Sequence, residues 1–200
     1  MKKYFLIILA AATLMVVGCK DDKIVEPPAP EPAAEERTAY NVPADTGAQN
    51  KTTYFRFSDS TIVTGADTVT NKWDIAFKST TIYTNSGSSG PGQGGAVVFR
   101  NSNFEDVQAV PDTGINTDAV GAPAVPTGSG NGWYNYNFST NLISPVPGVV
   151  IVIRTGEGKY AKVQILSYYK DAPSNPTGTE PSRYYTFKYL YQPDGSKSLE

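Results

Sequence analysis

Large apolar residues alternate with polar ones in several short runs from about residue 51 onward. The runs are 52–57 (TTYFRF), 71–78 (NKWDIAFK) and 132–138 (GWYNYNF). Alternation at every second position is typical of a strand with one buried and one solvated face. In the second run it predicts that Trp73, Ile75 and Phe77 share one face, with Asp74 on the other.

Further strands are predicted where apolar residues are continuous, or where β-branched and aromatic residues dominate. These segments are 96–99 (AVVF), 148–155 (GVVIVIRT), 158–170 (GKYAKVQILSYYK) and 182–192 (SRYYTFKYLYQ). Five successive apolar positions in 148–155 favour a central strand that is covered on both faces. Glycine- and proline-rich segments separate the runs, and none has the period of an amphipathic helix. The pattern therefore predicts an all-β domain of antiparallel sheets over residues 51–200.

The N-terminal pattern is different. Lys2 and Lys3 precede a short apolar run that ends in V-V-G-C, with Cys19 last. This order is typical of a secretory signal, and V-V-G-C resembles the bacterial lipobox, whose cysteine is diacylated and becomes the mature N-terminus. Residues 1–18 are therefore predicted to be a lipoprotein signal peptide. Cys19 is the predicted lipid-attachment site, which would anchor the protein to a membrane.

The segment 19–50 is rich in proline, alanine and glutamate and has no sustained hydrophobic period. We interpret it as a disordered tether that holds the folded domain off the membrane. The tripeptide K-D-D at 20–22 resembles the signal that sends some Gram-negative lipoproteins to the outer face of the outer membrane. It predicts an outer-membrane, lipid-anchored protein at the cell surface, with a solvated charge cluster as the alternative.

Composition excludes several kinds of chemistry. The chain has no histidine, its single cysteine is Cys19, and its two methionines are Met1 and Met15. Ser-His-Asp and Cys-His nucleophiles and histidine-bearing zinc sites are thereby excluded from the domain, and no enzyme activity is expected. Without Lys2 and Lys3, 15 basic residues stand against 19 acidic ones. No basic patch stands out, so no nucleic-acid partner is expected.

Isolated acidic residues are interpreted as surface or turn residues. Asp74, Glu157 and Asp171 have no partner in the sequence pattern and are assigned to the solvated surface. Asp112 and Asp118, in P-D-T-G-I-N-T-D-A, carry oxygen ligands suited to calcium. The spacing of an EF-hand is missing, so a turn is expected there instead.

A glycine-rich run at 84–97 (TNSGSSGPGQGGAV) contains the string G-x-G-x-x-G at Gly90, Gly92 and Gly95. In a dinucleotide site a helix follows this string, because the helix N-terminus binds the phosphate. Here a predicted strand follows, and Pro91 removes one N–H donor. The run is therefore interpreted as a permissive, mobile connection between two strands.

Taken in order, these segments resemble the HmuY family, whose members are outer-membrane or surface lipoproteins that capture haem. The pattern N-x-G-x-S-G-x-G-x-G-G-A-V is matched from Asn85 to Val97, and W-D-x-A from Trp73 to Ala76. A-K-V-Q at 161–164 and Y-Y-x-D-A at 168–172 also match. The resemblance extends over about residues 51–192. It implies an all-β fold, haem as the cofactor, and delivery of haem to a TonB-dependent receptor for iron or haem acquisition.

The resemblance also implies two axial iron ligands, usually histidines and in some members methionines. The predicted mature chain has neither residue type, and one family ligand position corresponds to Phe138. Tyr134 and Tyr136 lie beside it on the same predicted strand face, and tyrosinate can ligate haem iron. Ordinary aromatic packing in the sheet is the alternative. A cleft that holds a planar molecule by burial and stacking alone is a third possibility.

Two functions therefore stay open. One is a surface-anchored lipoprotein that binds haem or a related planar tetrapyrrole, with Tyr134, Tyr136 and Phe138 as ligand-binding residues. The other is an adhesion or interaction module on the same fold, which binds a protein or a glycan through exposed tyrosine and tryptophan side chains and takes no tetrapyrrole.

Overall fold

The computed structural model describes residues 33–200, which contain eleven β-strands and one 3₁₀ turn at Gly65–Val69. The strands are β1 Glu35–Pro43, β2 Thr53–Arg56, β3 Thr61–Val63, β4 Ile75–Lys78, β5 Thr81–Thr84, β6 Gly95–Phe99, β7 Tyr134–Asn137, β8 Leu142–Pro145, β9 Val150–Arg154, β10 Tyr160–Tyr169 and β11 Ser182–Gln192. All paired strands run antiparallel. The predicted all-β class is confirmed. Over residues 33–200, no helix is long and apolar enough to cross a membrane.

The strands form two larger sheets and a separate hairpin. The five-stranded sheet has the order β1-β11-β10-β9-β6, and the four-stranded sheet has the order β3-β2-β4-β5. Strands β7 and β8 pair only with each other. The two larger sheets share one hydrophobic core, so they stack face to face.

Aromatic side chains fill much of the space between the two sheets. Phe55 on β2 meets Phe187 on β11 edge-to-face, with ring centroids 5.3 Å apart. Phe77 on β4 meets Tyr185 on β11 at 4.5 Å. All four side chains are buried. Aromatic pairs in this geometry contribute about 0.5–1.5 kcal/mol each beyond the area they bury.

Strand β9 is covered on both faces, as its continuous apolar sequence predicts. Ile151 and Ile153 belong to the core between the sheets. Val150 and Val152 face the opposite way, into a second cluster with Phe104 and other side chains of the segment 104–110 and the C-terminus. Both sets are fully buried.

A buried lysine ties that second cluster to the sheet. Lys162 on β10 is buried, and its Nζ donates hydrogen bonds to the carbonyl oxygens of Phe104 at 2.9 Å and Val107 at 3.0 Å. The same ammonium lies 4.6 Å from the centroid of the Phe104 ring, and Lys188 Nζ lies 4.2 Å from it. Burial lowers the pKa of Lys162. The carbonyl and ring contacts compensate in part for taking the charge out of water.

The prediction that Trp73 shares one strand face with Ile75 and Phe77 is wrong. Ile75 and Phe77 point into the core between the sheets, whereas Trp73 packs with Ala76 on the outer face of the four-stranded sheet. Strand β4 begins only at Ile75, so the strict alternation does not extend back to Trp73. The residue between them, Asp74, is itself buried in the structure.

Asp74 is not the solvated surface charge that its sequence position suggests. It is 5% exposed. Its carboxylate accepts hydrogen bonds from the backbone N–H groups of Phe57 at 2.7 Å and Gly156 at 3.2 Å. Burial raises the pKa of Asp74 to about 6, and the negative charge of Glu157 acts in the same direction. Asp74 therefore links the end of β2 to the turn between β9 and β10.

The predicted tether is too long at its C-terminal end. Residues 35–43, assigned to the tether, form β1 at the edge of the five-stranded sheet. The strand pairs with β11 from Glu35↔Tyr191 to Pro43↔Tyr184, with an irregularity between Ala39 and Val42. The predictions for the signal peptide, for Cys19 and for the tether up to residue 32 lie outside the described residues.

The glycine-rich run is a packed loop wound around one side chain, Asn85, which is fully buried. Asn85 Nδ2 donates to the carbonyl oxygens of Thr70 and Trp73, and its Oδ1 accepts a hydrogen bond from Gly92 N–H at 2.9 Å. A Cβ on Gly94 would lie 2.6 Å from the carbonyl oxygen of Asn85. These glycines are needed for close approach, since only Gly87 in this run has a positive φ.

Candidate functional site

The three predicted site residues lie on and directly after strand β7. Tyr134 and Tyr136 are half-buried on the strand, and Phe138 follows it in the turn to β8. Tyr134 pairs across the hairpin with Pro145, and Tyr136 with Ile143. The Tyr134 ring packs against Trp133 and against the core between the sheets. Tyr134 is therefore the inner member of the set.

Tyr136 and Phe138 form an aromatic pair on the outer side of the hairpin. Their ring centroids are 4.8 Å apart and the ring planes meet at 78°, an edge-to-face arrangement. Phe138 is 83% exposed. The Tyr136 hydroxyl donates to Asn141 Oδ1 at 2.7 Å. The pair thus offers solvent an apolar surface whose orientation is set by the hairpin.

The base of this hairpin is firmly attached to the domain. Trp133 is buried and its Nε1 donates to the carbonyl oxygen of Thr80 at 2.8 Å. On the other strand, Ile143 N–H donates to the Tyr169 hydroxyl at 2.9 Å. Together these bonds hold both strands, so the Tyr136–Phe138 pair sits on a fixed support, which lowers the entropy lost on ligand binding.

A cleft of about 250 Å³ lies beside the hairpin, and none of its lining residues is among the predicted site residues. Its lining includes Asn141 and Ile143 from the hairpin, Tyr168 and Tyr169 at the end of β10, and Arg183 on β11. Burial raises the pKa of Tyr168, which keeps the phenol neutral. The only sequence signal for this cleft is the Y-Y pair before a long glycine- and proline-containing connection.

The residues on this hairpin do not fit an iron site with two histidine or methionine ligands. The chain has no histidine, and Met1 and Met15 precede the described residues. Phe138 offers no ligand atom, and the Tyr136 hydroxyl is already bonded to Asn141. Within residues 33–200, no group of three or more His, Cys, Asp or Glu side chains converges to hold a metal ion. What the hairpin offers a ligand is stacking surface.

The acidic residues of the predicted turn at 111–119 point in different directions. Asp112 pairs with Lys197, 2.8 Å from Oδ1 to Nζ. Asp118 is buried and accepts hydrogen bonds from the N–H groups of Thr84 and Ala124. Asp118 therefore connects the glycine-rich loop to the segment that follows it, which is a structural role.

The fold described above is that of an all-β domain of two stacked antiparallel sheets with a separate aromatic hairpin. The family model for the HmuY protein matches residues 48–189, more than two thirds of the chain. The chain belongs to the HmuY family. The resemblance drawn from the glycine-rich run and its neighbours is thus confirmed.

Solved structures with this fold include the following two. The apo HmuY analogue of Tannerella forsythia has a TM-score of 0.52 and 14% sequence identity, and the match covers 82% of this chain and 98% of that one. A Bacteroides vulgatus protein described as HmuY-like and haem-binding has a TM-score of 0.52 and 17% identity, with coverages of 78% and 92%. At such identities the likeness is one of fold. No curated protein matches the chain significantly.

Proposed function

We propose that this protein is a lipid-anchored surface protein that captures haem or a related planar tetrapyrrole for iron or haem acquisition. The observation that carries the proposal is the Tyr136–Phe138 aromatic pair, whose outer member Phe138 is exposed, in a chain that belongs to the HmuY family. A preoriented aromatic surface gives a planar ligand apolar contact without first having to be ordered. The binding mode proposed is stacking of the planar ligand on the Phe138 ring, which the Tyr136 ring supports edge-to-face.

Stacking differs from axial ligation in a way that can be measured. A ligand held by its ring face alone binds about equally well with or without iron, because the metal makes no bond to the protein. Ligation by Tyr134 or Tyr136 would instead favour ferric haem, since tyrosinate is an iron ligand. Comparing ferric haem with metal-free protoporphyrin therefore separates the two modes.

The test is a titration of the full-length protein, purified in detergent, with ferric haem and with metal-free protoporphyrin, followed by the Soret band. We expect saturable changes with both. Phe138→Ala should weaken both by about 10- to 100-fold, since an aromatic side chain buried by a ligand contributes about 1.5–3 kcal/mol. The matched control is Tyr40→Ala, because Tyr40 is also exposed, at 69%, but lies on β1.

No saturable change with either porphyrin would overturn the proposal. A charge-transfer band with ferric haem that is lost in Tyr134→Phe or Tyr136→Phe would replace stacking by tyrosinate ligation. Equal losses in Phe138→Ala and Tyr40→Ala would show that the hairpin is not the binding surface.

Anchoring is proposed from the sequence order of the N-terminus, with Cys19 as the lipid-attachment residue, the outer membrane as location and a TonB-dependent receptor as partner. Radiolabelled palmitate should enter the wild-type protein and not Cys19→Ala. Protease added to intact cells should digest the wild-type protein if it faces outward. Full protection of the protein in intact cells would contradict surface exposure.

A further inference from the structure

A second cleft lies on the outer face of the four-stranded sheet, away from the hairpin. Tyr54 on β2, Ala76 on β4 and Tyr83 on β5 are direct cross-strand neighbours in a single row. Two inter-strand spacings separate the tyrosine backbones by roughly 10 Å. Because alanine is short, the row has a notch between two phenol side chains.

The floor of this notch is rigid. Trp73 packs beneath it, with its ring 4.9 Å from that of Tyr54 at an interplanar angle of 67°. Trp73 is fully buried and its Nε1 donates to the carbonyl oxygen of Thr68 at 3.0 Å. From the glycine-rich loop, Gly90 packs so closely that a Cβ there would lie 2.6 Å from the Trp73 ring. The loop thus fixes the aromatic floor.

Polar groups surround the notch. Lys78, two residues after Ala76 on the same strand face, lines the cleft together with Thr52 and Ser89. The side-chain polar atoms of Lys78, Ser89, Tyr54 and Tyr83 make no hydrogen bond or ion pair with other residues in 33–200. They are available to a ligand, unlike Lys162, which is bonded internally.

The size of the cleft limits what it can hold. Its volume is about 140 Å³, below the range of pockets for drug-sized ligands. The cleft therefore suits one six-membered ring and is too small for a tetrapyrrole. An adjoining cleft of about 390 Å³ shares Tyr83 and Ser89 with the notch and continues past Thr81, Ser88 and Thr127. The two clefts meet at Tyr83 and Ser89 and together form a trough, along which hydroxyl groups alternate with apolar surface from Ala119, Val120 and Pro123.

We infer that this trough binds an oligosaccharide, with a sugar ring that carries a carboxylate in the notch between Tyr54 and Tyr83. Aromatic side chains contact the apolar face of a sugar ring, and the free hydroxyl groups match its own hydroxyls. The Lys78 ammonium pairs with the carboxylate. A simple aromatic acid would leave the hydroxyl groups of the trough without partners. This site does not depend on the proposed haem function.

The test uses calorimetric titration of the full-length protein in detergent with two acidic probes, sialyllactose and a hyaluronan tetrasaccharide, and with neutral lactose. We expect saturable binding of at least one acidic probe, and lactose weaker by at least about tenfold, since lactose has no carboxylate to pair with Lys78. Binding of only one acidic probe supports the inference and identifies the sugar acid.

Lys78→Met keeps the aliphatic stem and removes the charge, so it should reduce acidic-probe binding to the level of lactose. The matched control is Lys170→Met, because Lys170 is exposed at the end of β10 and does not line the cleft. Circular dichroism verifies folding, and the porphyrin titration should be unchanged in Lys78→Met. Absence of binding by both acidic probes, equal affinity for lactose, or no effect of Lys78→Met would overturn the inference.

Discussion

Asp74 should make the folded protein less stable as pH rises from 3.8 to about 6. Burial raises the pKa of its carboxyl group from 3.8 to about 6 in the folded state. Between these values the folded protein keeps a proton that the unfolded chain has released. The contribution of Asp74 to the free energy of unfolding is therefore greatest below pH 3.8. It falls between pH 3.8 and about 6 and is constant at higher pH.

The size of the effect follows from the two pKa values. Each pH unit between them corresponds to about 1.4 kcal/mol, so the total loss is about 3 kcal/mol. The group is almost completely buried, so solvent screening reduces this figure little. The hydrogen bonds from Phe57 and Gly156 favour the charged form and lower the pKa of Asp74. The pKa of about 6 is the net result of these bonds and of the larger, opposite effect of burial.

The assay is urea unfolding across this pH range for the wild-type protein and Asp74→Asn. The wild-type free energy of unfolding minus that of Asp74→Asn should fall by about 3 kcal/mol as pH rises. Subtraction removes the contributions of other carboxyl groups, which are the same in both proteins. Asp112→Asn is the control. Because Lys197 lowers the pKa of Asp112, the wild-type free energy of unfolding minus that of Asp112→Asn should rise with pH instead of falling. A difference that stays constant with pH would refute the reasoning.

Three further predictions concern stability and are measured by urea unfolding. Gly87→Ala should lower the free energy of unfolding by more than about 3 kcal/mol, because the φ of Gly87 is +51° and a Cβ there would lie 1.9 Å from the Asp118 carbonyl oxygen. The control is Gly47→Ala, whose Cβ would meet only a flexible side chain at 3.5 Å. It should change the free energy of unfolding by no more than about 0.5 kcal/mol. A chain that begins at residue 51 should be at least about 3 kcal/mol less stable than one that begins at residue 33, because it lacks β1 and exposes the β11 edge. Lys162→Met should cost about 2 kcal/mol, since two buried carbonyl oxygens lose their donor. An unchanged unfolding midpoint in Gly87→Ala, in the chain that begins at residue 51 or in Lys162→Met would contradict the contact on which that prediction rests.

Strands with strong patterns could be predicted from sequence alone. Strands β2, β7, β9, β10 and β11 all lie within runs that alternate, are continuously apolar, or are rich in β-branched and aromatic residues. Strand β1 has no such pattern, and it is a strand because β11 offers an unpaired edge next to it. Strands β3 and β8 are short, so their residues give no reliable period.

The glycine-rich run identified the family, but its physical role required the folded structure. From sequence the glycines indicate a permissive, mobile connection, whereas in the fold they pack against Asn85 and Trp73. Which side chain each glycine packs against depends on the folded path of the loop, and that path has no signature in a local pattern. The same is true of Asp74, whose burial depends on Gly156, 82 positions away.

The sequence alone determined the all-β class, the family, and the absence of histidine and methionine ligands from the domain, because composition and strand periodicity are local properties. It also placed Tyr134, Tyr136 and Phe138 on one face of a predicted strand. Only the tertiary structure decided that Phe138 is exposed while Tyr134 packs inward, and that Tyr54, Ala76 and Tyr83 form one row. Strand register and sheet stacking set these relations, and both arise from contacts between segments that are far apart in the chain.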